Sequence, residues 1–128
     1  METKVILDTG VIFDFFVDGD YADNIEKLLK EKRAVLSAIT LFELFNGVTN
    51  NKHIEDRKNF VSLCDVYSLT ADIALQASNL YTSLKKSGKT IQNEDILIAA
   101  TAIYYNLPIL TDNQKHFSLV KNIKLISN

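Results

Sequence analysis

The sequence predicts an α/β protein with three layers, α/β/α, around a central, mostly parallel five-stranded sheet. Three observations carry this prediction. Five short runs of strand-forming residues recur along the chain, and helical patterns separate them. The runs are short and read as buried, as strands covered on both faces are. With one proline and four glycines in 128 residues, the turns must rest on Asn, Asp and charged side chains. That length fits one domain, residues 1–128, with a single ordinary core.

The elements follow in order. "KVILD" (Lys4–Asp8) is a strand ending in an acid. "VIFDFF" after it reads as a helix for which Asp8 would serve as N-cap. "ADNIEKLLKEK" (Ala22–Lys32) has helical spacing through Ile25, Leu28 and Leu29. "AVLSA" (Ala34–Ala38) is the second strand. Thr40 is expected to cap a helix running to Val48, with Glu43 at capping-box spacing. "KHIEDRKNFVSLC" is an amphipathic helix and "DVYSL" the third strand. Thr70 opens a longer helix that ends near Gly88, with Ile73, Leu80 and Leu84 inward, and another runs from Asn93 to Tyr105. "LPILT" (Leu107–Thr111) and "IKLIS" (Ile123–Ser127) complete the sheet.

Composition narrows the function. A hydrophobic fraction of 47% with 23% charged residues is that of a soluble globular protein. No apolar run approaches the roughly 20 residues of a membrane span, so no membrane is expected. "METKVILDTG" lacks the pattern of a signal peptide. The lone cysteine, Cys64, excludes an internal disulfide and fits the cytoplasm, with buried packing as its role. A net charge of −2 argues against nucleic-acid binding by bulk positive potential, though a bound cation would supply that charge locally.

The acids carry the chemistry. In parallel sheets ligands gather beyond the carboxyl ends of the strands, which directs attention to Asp8 and to Thr111–Asn113. Glu43, in "LFELFNGV", points away from the stripe formed by Leu41, Leu44, Phe45 and Val48. Asp95 opens "NEDILIAATA", a helix apolar on every side from Ile96 to Ile103 and therefore packed inside the protein. The amides of the first turn favour a negative charge there. A charge buried so deeply still needs a partner, and a cation is an efficient one. Clustered carboxylates repel one another and are tenable mainly around hard cations such as Mg²⁺ or Mn²⁺. Such ions lower the pKa of bound water and steady in-line displacement at phosphorus, without histidine or cysteine.

At these residues the sequence resembles the PIN-domain ribonucleases, in particular the small VapC-type toxins of toxin–antitoxin modules. "VILDTGVIFDFF", "LSAITLFELFNGV" and "GKTIQNEDILIAATAIYYNLPILTDNQKHF" carry the resemblance, which runs nearly end to end. It implies Mg²⁺- or Mn²⁺-dependent cleavage of single-stranded or looped RNA, leaving 5′-phosphate and 3′-hydroxyl ends. It also implies a homodimer and a cognate antitoxin that occludes the site. By position Asp8, Glu43 and Asp95 match the metal-binding acids, and Thr9 and Thr111 the neighbouring hydroxyls. The family often has Asp or Asn two places after the threonine, here Asn113, whereas the acid is Asp112. Charge favours Asp112 and family spacing favours Asn113. The expectation is Asp112 as fourth acid with Asn113 in support.

Lys85, Lys86 and Lys89 are candidates to steer RNA phosphates, and His116 to touch RNA, against solvated surface roles for all four. His53 is expected at the surface. "SGKT" (Ser87–Thr90) is not a P-loop, because Ser83 stands where the motif needs glycine. The surplus of apolar residues in "VIFDFF" and "LFELF" suits either core, a dimer seam or an antitoxin groove. Three other readings compete with the toxin. One is a housekeeping PIN nuclease of RNA processing. Another is a haloacid-dehalogenase-like phosphotransferase using Asp8, although Gly10 stands where that motif has a second aspartate. The last is a non-catalytic binding module, which has no use for four converging acids.

Overall fold

A computed structural model describes residues 3–127. The chain forms β1 (Val5–Leu7), α1 (Thr9–Phe16), α2 (Ala22–Lys30), β2 (Ala34–Ser37), α3 (Ala38–Phe45), α4 (Asn51–Ser62) and β3 (Asp65–Tyr67). It continues through α5 (Ala71–Lys86), α6 (Asn93–Tyr105), β4 (Ile109–Leu110), α7 (Gln114–Phe117) and β5 (Leu125–Ile126). The strands lie in the order β3-β2-β1-β4-β5. Every pairing is parallel, so the expected mostly parallel five-stranded sheet is parallel throughout.

Strand side chains alternate, and the core divides accordingly. Ile6, Val35 and Ile109 pack with Ile73 and Ala77 of α5 and with Ile96, Ala99 and Ala102 of α6. Val5, Leu7, Leu36 and Leu110 pack with Ile12 of α1, Ile25 of α2, Leu44 of α3 and Phe60 of α4. These are the two outer layers of the predicted sandwich. Helix α3 touches both clusters, Leu44 entering one while Ile39 rests against the other. No helix among the described residues is long and apolar enough to cross a membrane.

Several boundaries differ from expectation, each for a local reason. Thr40 does not cap α3. The second strand ends at Ser37, whose side chain accepts from the Ile39 N–H at 3.1 Å, so the helix starts earlier. Thr40 then lies fully buried inside the helix, and Glu43 has no capping box to complete. The helix stops at Phe45 rather than Val48, and Gly47 follows at φ 76, a left-handed conformation open to glycine. Leu41, Phe45 and Val48 are half-buried, leaving Thr40 and Leu44 as the buried residues of α3. Helix α2 ends at Lys30 instead of Lys32. Thr70 does cap α5, accepting from Ile73 N–H at 3.2 Å, and α6 spans Asn93–Tyr105 as expected. The short helix α7 was not anticipated.

Candidate active site

The chain lays β1, β2 and β3 side by side in one direction, then places β4 on the other flank of β1. Strand order therefore reverses between β1 and β4, and a crevice opens beyond their carboxyl ends. Asp8 follows β1 there and is 6% exposed. It is the N-cap of α1, the structural role open to it from sequence, and its Oδ1 accepts from the Thr9 N–H at 2.8 Å. Its Oδ2 accepts from the Thr111 hydroxyl, also at 2.8 Å. Both oxygens are thus oriented before any ligand arrives.

Thr111, directly beyond β4, does a second thing. Its Oγ1 accepts the Asn113 N–H at 2.8 Å, so the chain turns immediately after the strand. The turn separates the two candidates for fourth acid. Asp112 leans back over α1: a Cβ on Gly10 would lie 3.2 Å from its Oδ1. The Asn113 side chain instead meets His116, with Nδ2 3.0 Å from the imidazole Nδ1.

Glu43 approaches from α3, half-buried. The Thr9 hydroxyl donates to its Oε1 at 2.7 Å and lies 3.2 Å from the Thr40 hydroxyl. Thr9 has one hydroxyl proton, and the carboxylate is the stronger acceptor. Asp95 enters from the first turn of α6 and is half-buried rather than fully enclosed.

The four acids feel one another. Burial raises the Asp8 pKa, the Thr111 and Thr9 hydrogen bonds pull it back, and the charges of Asp112 and Glu43 raise it again. Burial likewise pushes Asp95 up to about 6, with Asp8 and Glu43 adding to the rise and His116 opposing it. All four border one open cavity of about 460 Å³, together with Thr9, Gly10, Gln92 and Asn113. Among the described residues, however, no three His, Cys, Asp or Glu side chains form a ready-made cage for an ion. Shared field and open spacing are compatible: the donor set is wholly hard oxygen, and Mg²⁺ keeps several waters where protein ligands are few. The residues fit such a cation.

Sequence reasoning did not single out Gly10, Thr40 or Gln92 as site residues. The signal for Thr40 was its place one turn before Glu43; for Gly10, its adjacency to Asp8-Thr9. The lysines are not brought to the acids. Lys85 Nζ lies 5.8 Å from the Tyr81 ring centroid, Lys86 is exposed, and Lys89 borders a separate cavity of about 350 Å³. His116 is exposed beside Asn113, within electrostatic reach of Asp95. His53 is at the surface. Cys64 is half-buried and its thiol is pushed up to about 12, foremost by burial, so it is an unreactive packing residue. A larger cavity, about 800 Å³, lies between α1 and α4 and is lined mainly by apolar groups, phenylalanines among them. Its one acid is Asp56 and none of the four site acids reaches it, so size does not identify the site.

Comparison with known proteins agrees with this arrangement. The PIN domain family model matches residues 5–122. Ribonuclease VapC1 of Methanocaldococcus jannaschii is 33% identical over 124 residues, covering 97% of this chain and 86% of that protein. Ribonuclease VapC2 of Rickettsia felis is 33% identical over 109 residues, 82% of this chain and 81% of its own. The solved structure of VapBC2 from Rickettsia felis, bound to a DNA fragment from its promoter, superposes with a TM-score of 0.85 at 26% identity, covering 98% of this chain and 99% of that one. VapBC from Salmonella typhimurium, at 22% identity and a TM-score of 0.85 over 98% of both chains, shares the fold. This fold, the order of the acids and the extent of the match agree: the chain belongs to the PIN-domain family.

Proposed function

We propose that this protein is a metal-dependent endoribonuclease and the toxin of a VapBC-type toxin–antitoxin pair. The observation that carries the nuclease reading is the convergence of Asp8, Glu43, Asp95 and Asp112 on one cavity, where burial and mutual repulsion raise Asp8 and Asp95. PIN-domain ribonucleases are in general dependent on divalent metals. The four acids are the groups that would hold Mg²⁺ or Mn²⁺. A bound ion supplies the Lewis acidity that water activation and phosphate charge neutralisation require.

The remaining residues orient these acids. Thr111 fixes Asp8 and Thr9 fixes Glu43, each by a hydroxyl donated to one carboxylate oxygen. Asn113 borders the cavity and His116 stands beside Asn113, where RNA would pass. Lys85, Lys86 and Lys89 would meet RNA phosphates only beyond the acidic cavity.

The toxin reading, rather than a housekeeping nuclease, is supported by the relatives, which are named VapC ribonucleases, and by the VapBC structures that share the fold. Phe13, Phe42 and Val17 are 39%, 58% and 78% exposed, apolar surface of the kind a partner covers. We assign it to a cognate antitoxin and to a second copy of the chain, in the cytoplasm. A dimer in light scattering at micromolar concentration is expected.

The deciding experiment is cleavage of structured RNA by purified protein with Mg²⁺ or Mn²⁺. It should stop with chelator and leave 5′-phosphate ends. Undiminished cleavage in excess EDTA rejects the mechanism. A short neighbouring gene for a DNA-binding protein with a hydrophobic tail would support the toxin role.

A further inference from the structure

Arg57 of α4 is not among the acids' neighbours, yet it ties together the two helices that carry half of the site. Its guanidinium carbon lies 5.0 Å from the Phe13 ring centroid and 5.9 Å from that of Phe16, both on α1. Its Nη1 donates to the Leu44 carbonyl of α3 at 2.6 Å. Leu44 is in the last turn of that helix, where carbonyls lack partners within the helix. A cation there also complements the negative end of the helix dipole.

Glu43 directly precedes Leu44, and Phe13 lies four residues, about one turn, beyond Thr9. Helices α1 and α3 are therefore joined twice. The Thr9 hydroxyl reaches Glu43 at 2.7 Å, and about a turn along α1 the Phe13–Arg57–Leu44 contact repeats the connection. Burial of Thr40 and Leu44 seats α3 on the core, and the two connections set its register against α1. Leu44 and Phe45 pack this end of α3 against the core, but Asn46 and Gly47 just beyond are exposed and Gly47 takes a left-handed turn, so the Leu44 carbonyl is where a side chain can hold the end of the helix. The aromatic faces matter as well. They hold the guanidinium plane in place while its edge donates, a combination that lysine does not reproduce.

We propose that Arg57 is a positioning residue for Glu43, acting through the Leu44 carbonyl and the end of α3. The proposal rests on the reading of Glu43 as a metal-site acid. It makes the α4 surface part of the machinery, although Arg57 does not line the acidic cavity.

The test is a double-mutant cycle read by Mn²⁺ titration calorimetry and by RNA cleavage. In Arg57→Met, Mn²⁺ affinity and kcat should fall by about threefold to thirtyfold, the range of coupling through a packed element. KM for RNA should change little. In a Glu43→Gln background the same substitution should cost nothing further, whereas in an Asp112→Asn background its full effect should persist. Arg57→Lys, which keeps the cation and a donor, should show a smaller loss with the same dependence on Glu43. It decides the matter if Arg57→Met does not fold. An undiminished effect in the Glu43→Gln background overturns the proposal, as does a lowered melting temperature with Mn²⁺ affinity unchanged. Absence of RNA cleavage by the parent protein would reject the nuclease reading, while the Mn²⁺ arm would still decide the role of Arg57. If the parent binds no Mn²⁺, both fall together.

Discussion

The Thr111 hydroxyl donates to Asp8 Oδ2 at 2.8 Å, joining residues 103 positions apart in sequence. Thr111 Oγ1 also accepts the Asn113 N–H, so one hydroxyl orients the first acid and shapes the turn that bears Asp112.

Thr111→Val should therefore do two things. It removes a donor that holds the Asp8 pKa down, so that pKa should rise further and Mn²⁺ affinity fall. It also strands the Asn113 amide, at a cost of roughly 1–3 kcal/mol in stability. Thr111→Ser should retain most of both. Thermal melting and Mn²⁺ titration of the two variants are the check, and equal behaviour of valine and serine at this position would contradict the account.

Asp95→Asn should abolish most RNA cleavage, on the order of a hundredfold or more, while the metal-free protein becomes more stable at neutral pH. The sign follows from the raised pKa. A carboxyl moved from 3.8 to about 6 by burial and by Asp8 and Glu43 contributes stability that is complete below about 3.8. That contribution is lost as pH rises through about 6, and an amide does not undergo the loss. In EDTA, the melting-temperature advantage of the variant should grow from pH 4 to 6 and then level off. A helix-end charge with no other role would instead cost about 1 kcal/mol on substitution, with cleavage intact.

Metal affinity should itself depend on pH in this window. Carboxylates must lose their protons to bind a cation, and Asp95 holds its proton up to about 6. Mn²⁺ affinity should climb between pH 4 and 6, with protons released on binding. Calorimetry in two buffers of different ionisation enthalpy measures the release. Pure electrostatic screening predicts no proton release at all.

Asp112→Asn should weaken Mn²⁺ binding and RNA cleavage more than Asn113→Ala does. The Asp112 carboxylate borders Gly10 and raises the Asp8 pKa, whereas the Asn113 amide is engaged with His116. Gly10→Ala should act in the same direction as Asp112→Asn, since a methyl group there crowds Asp112 Oδ1 at 3.2 Å. If Asn113→Ala costs more affinity than Asp112→Asn, the spacing usual in the family was the better guide.

Much of this arrangement is legible in the sequence because it depends on strand ends. "KVILD" and "LPILT" are unbroken apolar runs that stop at Asp8 and Thr111, and a parallel sheet necessarily brings such ends to one edge. Asp95 was legible for a similar reason, as an acid opening a helix buried on most sides. Boundaries were less legible wherever two capping residues competed. Ser37 and Thr40 are both good N-caps, and only the point at which β2 leaves the sheet selects Ser37. Which side chain turned towards the acids was not legible at all for Asp112 and Asn113. That choice depends on the Thr111–Asn113 hydrogen bond, a contact that no periodicity encodes. Arg57 was hidden likewise: its helix reads as an ordinary amphipathic one, and its partners come from α1 and α3.

The placement of β4 against β1 has a consequence for biosynthesis. A ribosome makes Asp8 103 residues before Thr111, so over that length of translation the first acid has neither its hydroxyl donor nor the acid beside it. The loop that must close is long, and its closure waits for the final strands. The acid cluster is therefore completed only once β4 has paired with β1. A chain that stops before β4 lacks both Asp112 and the hydroxyl that orients Asp8.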